Sequence, residues 1–183
     1  EDAAGVLDAN STVERLVGGE LAVATETFSG GAGVAALVDL ASGKDLSAAT
    51  PEPLFTVTMR NAATGETIDL DADDQWQALR QSASPGQLTM TWSDPNEPQL
   101  YGLVVTVTCR PVEPAPATAA AAPGGLSWRI RVKNPCPGWA VWKVAFPRLT
   151  LRKTDGDVRV LVPQGCGVLK GDLWRKGLSY RGT

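Results

Sequence analysis

Arg129, Arg131 and Lys133 alternate along one segment with Trp128, Ile130 and Val132. Side chains two residues apart on a strand point to the same face, so this spacing sets a row of cations against an apolar stripe. Arg152 and Arg159 stand opposite the apolar residues of their own segments in the same way. If these strands are neighbours, the five residues make one basic face on the outside of a sheet. A surface of that kind holds an acidic partner: a sulfated or uronic polysaccharide, a phosphate backbone, or the acidic region of a second copy. The competing expectation is that these cations pair with carboxylates inside the same fold.

Other chemistry is narrowed by composition. The 183 residues contain no histidine, which removes Ser-His-Asp, Cys-His and His-zinc centres together. Asp94 and Glu97 are the pair a carboxylate-driven glycosidase would use, but their spacing does not establish two carboxyls facing across a cleft, and no catalytic residue is assigned. Asp69, Asp71, Asp73 and Asp74 alternate as calcium ligands can, yet the glycine and closing glutamate of a calcium-binding loop are missing. They read as a solvated strand end, and no metal or cofactor is expected. Cys109 shares the apolar phase of Leu103, Val105 and Val107 and reads as a buried thiol. Cys136 and Cys166 lie in turn-rich segments and are the candidates for a disulfide. Among six tryptophans, Trp92 and Trp128 are in apolar phase. Trp139, beside Pro137-Gly138, and Trp174, beside Arg175-Lys176, are the candidate exposed platforms for stacking on sugar rings. Asn10-Ser11-Thr12 is an N-glycosylation acceptor if the protein is secreted from a eukaryote.

Charge is divided along the chain. Residues 1–100 hold four basic and sixteen acidic side chains, whereas residues 101–183 hold thirteen basic and four acidic, so a net charge of −3 conceals a strong asymmetry. Such asymmetry bears on association rather than fold. The net negative charge opposes nucleic-acid binding, which draws most of its affinity from phosphate attraction. No apolar run approaches the ~18–20 residues of a membrane span. A start at Glu1-Asp2 fits either a mature protein whose leader has been removed or a fragment.

The elements that must position these residues follow a period of two, with scarcely any helical period. Strands are expected at Glu20–Thr25, Val34–Leu40, Gln87–Trp92, Gly102–Cys109 and Leu126–Lys133. Leu54–Arg60 and Glu66–Leu70 form a hairpin through Ala62-Ala63-Thr64-Gly65. Trp76–Ser82 fits either a strand or a short helix, and Trp139–Phe146 is expected to be buried on both sides. Leu149–Lys153 turns through Asp155-Gly156 into Val158–Val162. Residues 111–125, rich in proline and alanine, read as an exposed loop between strands. The whole reads as one all-β domain over 1–183: an antiparallel sandwich of about ten strands with little helix.

Two stretches carry a resemblance. Glu20-Leu21-Ala22-Val23 with Gly33–Leu46 resembles the opening of the β-sandwich module that precedes the catalytic barrel in a group of glycoside hydrolases, itself similar to the galactose-mutarotase-like supersandwich. Phe146–Leu151 and Asp157–Gly167 resemble its end. The resemblance implies a secreted, non-catalytic module that supports a catalytic barrel or binds carbohydrate. The catalytic carboxylates of such enzymes lie on the barrel and mutarotases rely on histidines, so no catalytic role is carried onto any residue here. The alternative is an assembly subunit, in which the acidic region of one copy docks on the basic region of another.

Overall fold

A computed structural model describes residues 13–28, 31–48, 52–73, 75–112, 124–152, 159–162 and 168–171. The chain is all-β and antiparallel. Among the described residues the single helical element is a 3-10 turn, Pro98–Leu100. Two compact units divide it, Glu1–Thr150 and Leu151–Thr183, where the sequence suggests one.

The first unit contains three sheets. A meander of β1 (Val13–Gly18), β2 (Leu21–Phe28), β3 (Gly31–Asp39) and β4 (Lys44–Asp45) forms one. A second meander runs through β7 (Trp76–Ser84), β8 (Gln87–Pro95), β9 (Val104–Val112) and β10 (Gly125–Lys133). The third places β5 (Thr56–Asn61) between β6 (Thr67–Asp71) and β11 (Trp139–Ala145). In the second unit β12 (Arg159–Val162) pairs with β13 (Val168–Gly171).

The strands form because apolar and polar residues alternate. Leu88, Met90 and Trp92 of β8 and Val105, Val107 and Cys109 of β9 are buried, while the Thr and Ser residues between them are not. Valine and threonine suit this half-buried, pleated environment through their branched side chains. Inner faces of the three sheets share one core, joining Leu16 and Val23, Val57 and Met59, and the β8–β9 residues just named. This is the sandwich: β1 lies against strands of the β7–β10 sheet. At its centre Phe55 meets Trp92 and Trp76 edge to face, with centroids 4.8 and 6.1 Å apart. Each such fully buried side chain contributes roughly 1.5–3 kcal/mol.

Two glycines are required by geometry. Gly19 opens the two-residue turn from β1 to β2 at φ +59°, and a Cβ there would lie 2.2 Å from the backbone of Gly124. Gly86 follows Pro85 in the β7–β8 turn at φ +75°. Proline sets the first turn dihedral and glycine takes the second, positive one.

Several expectations change. Trp76–Ser82 is strand, because Ala78–Ser84 pairs along β8. Strand β1 was not expected, since its alternation is short. Pro111 and Val112 extend β9 and Gly125 begins β10, so the Pro/Ala stretch between strands narrows to residues 113–124, of which 113–123 lie outside the described residues. Trp139–Ala145 is not buried on both sides: β11 is an outer strand of its sheet, and Val141, Trp142 and Val144 are exposed. Residues 149–152 form no strand of their own; Thr150 instead accepts a backbone hydrogen bond from Ala48 at 2.9 Å. The expected turn at 154–157 lies outside the described residues, and β12 pairs with β13.

Candidate functional site

The register of the β7–β10 sheet assembles a surface that its strands carry only in pieces. On the outward side of β10, Arg129 lies opposite Thr108 and Arg131 opposite Thr106. Ser127 lies opposite Arg110. One strand further, Thr89 faces Thr108 and Thr91 faces Thr106. Arg80 and Ser82 of β7 then oppose Thr91 and Thr89. Arg80, Arg110, Arg129, Arg131 and Lys133 are all exposed. The one carboxylate on the four strands is Asp94, at the irregular end of β8 where the alternation breaks. Their inward positions, including Trp128, Ile130 and Val132, pack on the core, which holds the outward groups on a firm base.

Along β9 and β10 the face sinks into a furrow of ≈ 440 Å³ lined by Thr106, Thr108, Arg110, Pro111, Ser127, Arg129 and Arg131. Hydroxyls and guanidinium groups therefore converge on one open groove. Hydroxyls donate and accept, and guanidinium forks grip planar or tetrahedral oxyanions in pairs.

None of these five cations makes an ion pair among the described residues. Arg148 shows the contrast. Its guanidinium donates to Glu52 Oε2 at 3.0 Å, Asp71 Oδ1 at 3.3 Å and Thr56 Oγ1 at 2.9 Å, and serves as a clamp across the β5–β6 sheet. Neighbouring cations on β10 stand about 6.7 Å apart by strand geometry, so each like-charged pair costs about 0.6 kcal/mol in water. That repulsion is sustained on a surface with no compensating acid among the described residues.

The remaining site expectations fall as follows. Arg152 is exposed and belongs to the second unit, as does Arg159 on β12. Trp139 is half-buried and packs on the core, so it is no free platform. Its neighbour Trp142 takes the exposed place instead. It falls where the β5–β11 register shifts, between Val141 and Lys143, is 63% exposed, and has the Arg60 guanidinium 4.4 Å from its ring centroid. Trp174, Cys166 and Asn10 lie outside the described residues. Cys136 is a free, buried thiol whose sulfur donates to Tyr101 O at 3.6 Å, and its candidate disulfide partner Cys166 lies outside the described residues. Burial pushes its pKa up, partly offset by a hydrogen bond with the Leu103 backbone.

The carboxylates are committed to structure. Asp94, at φ 55°, accepts the Gly102 N–H at 3.0 Å, and Glu97 accepts from Gln99 at 3.0 Å. Asp69 accepts from Thr58 at 2.5 Å, while Asp71 is held by Thr56 and Arg148. Among the described residues no group of three or more acidic, cysteine or histidine side chains converges to hold a metal, and no helix is long and apolar enough to cross a membrane.

Sequence reasoning missed Arg80, Arg110 and the hydroxyl rows. Their phase was readable in Thr89-x-Thr91 and Thr106-x-Thr108-x-Arg110; the strand order that sets them beside Arg129 was not. No protein-family model matches the chain, and no curated protein matches it significantly.

Proposed function

We propose that this chain is a secreted, non-catalytic module of a carbohydrate-active protein, binding glycan on the outer face of its β7–β10 sheet. The observation that carries the reading is the furrow between β9 and β10. It is open along a strand, as a polymer requires, and its lining brings hydroxyl and guanidinium donors together with the apolar parts of those side chains and Pro111. A glycosidase sets two carboxyls across its cleft, and among the described residues none lines this furrow. The resemblance of residues 20–23 and 33–46, and of 146–151 and 157–167, to the module before glycosidase barrels supports the same assignment, with the catalysis supplied by another domain.

Retention in affinity electrophoresis against a panel of neutral and anionic polysaccharides tests this. The chain is expected to be retarded by at least one of them, and Arg129→Ala with Arg131→Ala to run freely while melting at the same temperature. Free migration on every gel, or retention unchanged in the double variant, would overturn it.

The charge asymmetry between residues 1–100 and 101–183 favours a second reading, docking of the cationic face on an acidic region of another copy. Sedimentation at low and physiological salt separates them: self-docking dissociates as the Debye length falls to ~8 Å, whereas a glycan module remains a monomer throughout.

A further inference from the structure

We infer that the glycan is a linear polyanion, sulfated or uronate, laid along β10 in the furrow it shares with β9. This deepens the proposed function and rests on it. Neutral sugars are held by hydrogen bonds and stacking and have no use for a row of cations that makes no ion pair among the described residues. On β10 the charges of Arg129, Arg131 and Lys133 recur every second residue, a row of about 13 Å from first to last, which matches a strand-like chain carrying periodic negative groups better than a single compact anion. Arg110 stands across from Ser127 on the next strand and closes the furrow from the other side.

The makeup of the furrow itself points to oxyanions. Its charged groups are all arginine, whose planar fork binds sulfate or carboxylate through two hydrogen bonds where lysine offers a point charge. Thr106 and Thr108, opposite Arg131 and Arg129, supply hydroxyls for the sugar's own hydroxyl and ring oxygens. Among the described residues no acidic side chain lines the furrow to compete. The mutual repulsion of the row is relieved when an anion binds, so the same arrangement that burdens the free protein favours the complex. Duplex nucleic acid, with a negative charge every ~1.7 Å, extends far beyond this row onto a molecule of net negative charge and is disfavoured.

Calorimetric titration of the chain with oligomers of dextran sulfate, polygalacturonate and unmodified dextran tests the inference. At least one anionic oligomer is expected to bind, with dextran weaker by tenfold or more. With three or four cations engaged, binding should weaken roughly 20- to 50-fold between 50 and 200 mM salt. Arg129→Glu with Arg131→Glu should abolish it. Arg60→Glu with Lys143→Glu makes the same charge change on the β5–β11 sheet and should leave it nearly intact. Sulfate and carboxylate are told apart by which oligomer binds more tightly. Equal, salt-insensitive binding of dextran would overturn the polyanion while leaving the glycan module standing; no binding to any of the three, with retention on no other polysaccharide, would remove both. Tighter binding of a DNA duplex than of either anionic oligomer, or loss of binding in both charge-reversed pairs alike, would also overturn it.

Discussion

Cys109 shows how a residue's environment follows from its phase. It is fully buried on the inner side of β9, and burial holds the thiol neutral up to about 12. In the unfolded chain it ionises near its ordinary value of 9.0. Its folded pKa is thus raised, so its contribution to stability is complete below pH 9 and is lost as pH rises toward 12. The stability difference between the wild type and Cys109→Ala is therefore expected to be flat below pH 9. Above it the difference should shrink by up to about 1.4 kcal/mol per pH unit, as read from urea midpoints. A difference that stays constant through pH 11 would show an accessible thiol. This burial was legible in the sequence because Cys109 continues the alternation of Leu103, Val105 and Val107. Cys136 was not legible: its Asn134-Pro135-Cys136-Pro137-Gly138 setting has no phase to extend, and Asn134 shapes that turn by accepting the Cys136 N–H at 3.0 Å and donating to Trp139 O at 2.7 Å.

At the scale of elements, alternation tells which residues share a face but not which strands lie side by side. The outward phase of Arg129, Arg131 and Lys133 could be read locally. Their union with Arg110 and the threonines needed the meander order of β7 to β10, a property of the folded chain. Strand β11 fails the local reading for a related reason. Its composition suggests full burial, yet it has only β5 as a partner in its sheet, and the register shift at Val141/Lys143 rotates Trp142 outward. The two tryptophans of this strand should then behave oppositely to what composition implies. Trp139→Ala is expected to cost roughly 2 kcal/mol, about half the value for a fully buried aromatic residue. Trp142→Ala removes only a surface cation–π contact and should cost under about 1 kcal/mol. Chemical denaturation of the two variants decides it, and a larger loss at Trp142 would contradict this account of the strand.

For the whole molecule, the all-β antiparallel sandwich was legible because period-two patterning runs through nearly every segment, with turn signals such as Pro85-Gly86 between. Charge is the other whole-molecule property. Sixteen acids crowd the first hundred residues, yet the outward face of β7–β10, which draws strands from both sides of residue 100, gathers five cations and rows of hydroxyls among a few apolar groups such as Val112. Folding has therefore sorted by surface what the sequence sorts only by position, and this cationic face, which makes no ion pair among the described residues, is where a polymeric ligand is expected. Backbone amide NMR of the isotope-labelled chain, titrated with whichever oligosaccharide it retains, tests that claim most directly. The account predicts that shift changes concentrate on β9 and β10, around Thr106, Thr108, Arg129 and Arg131, and leave β5, β6 and β11 unmoved. Changes centred on β11 and Trp142, with the β9–β10 furrow silent, would contradict it.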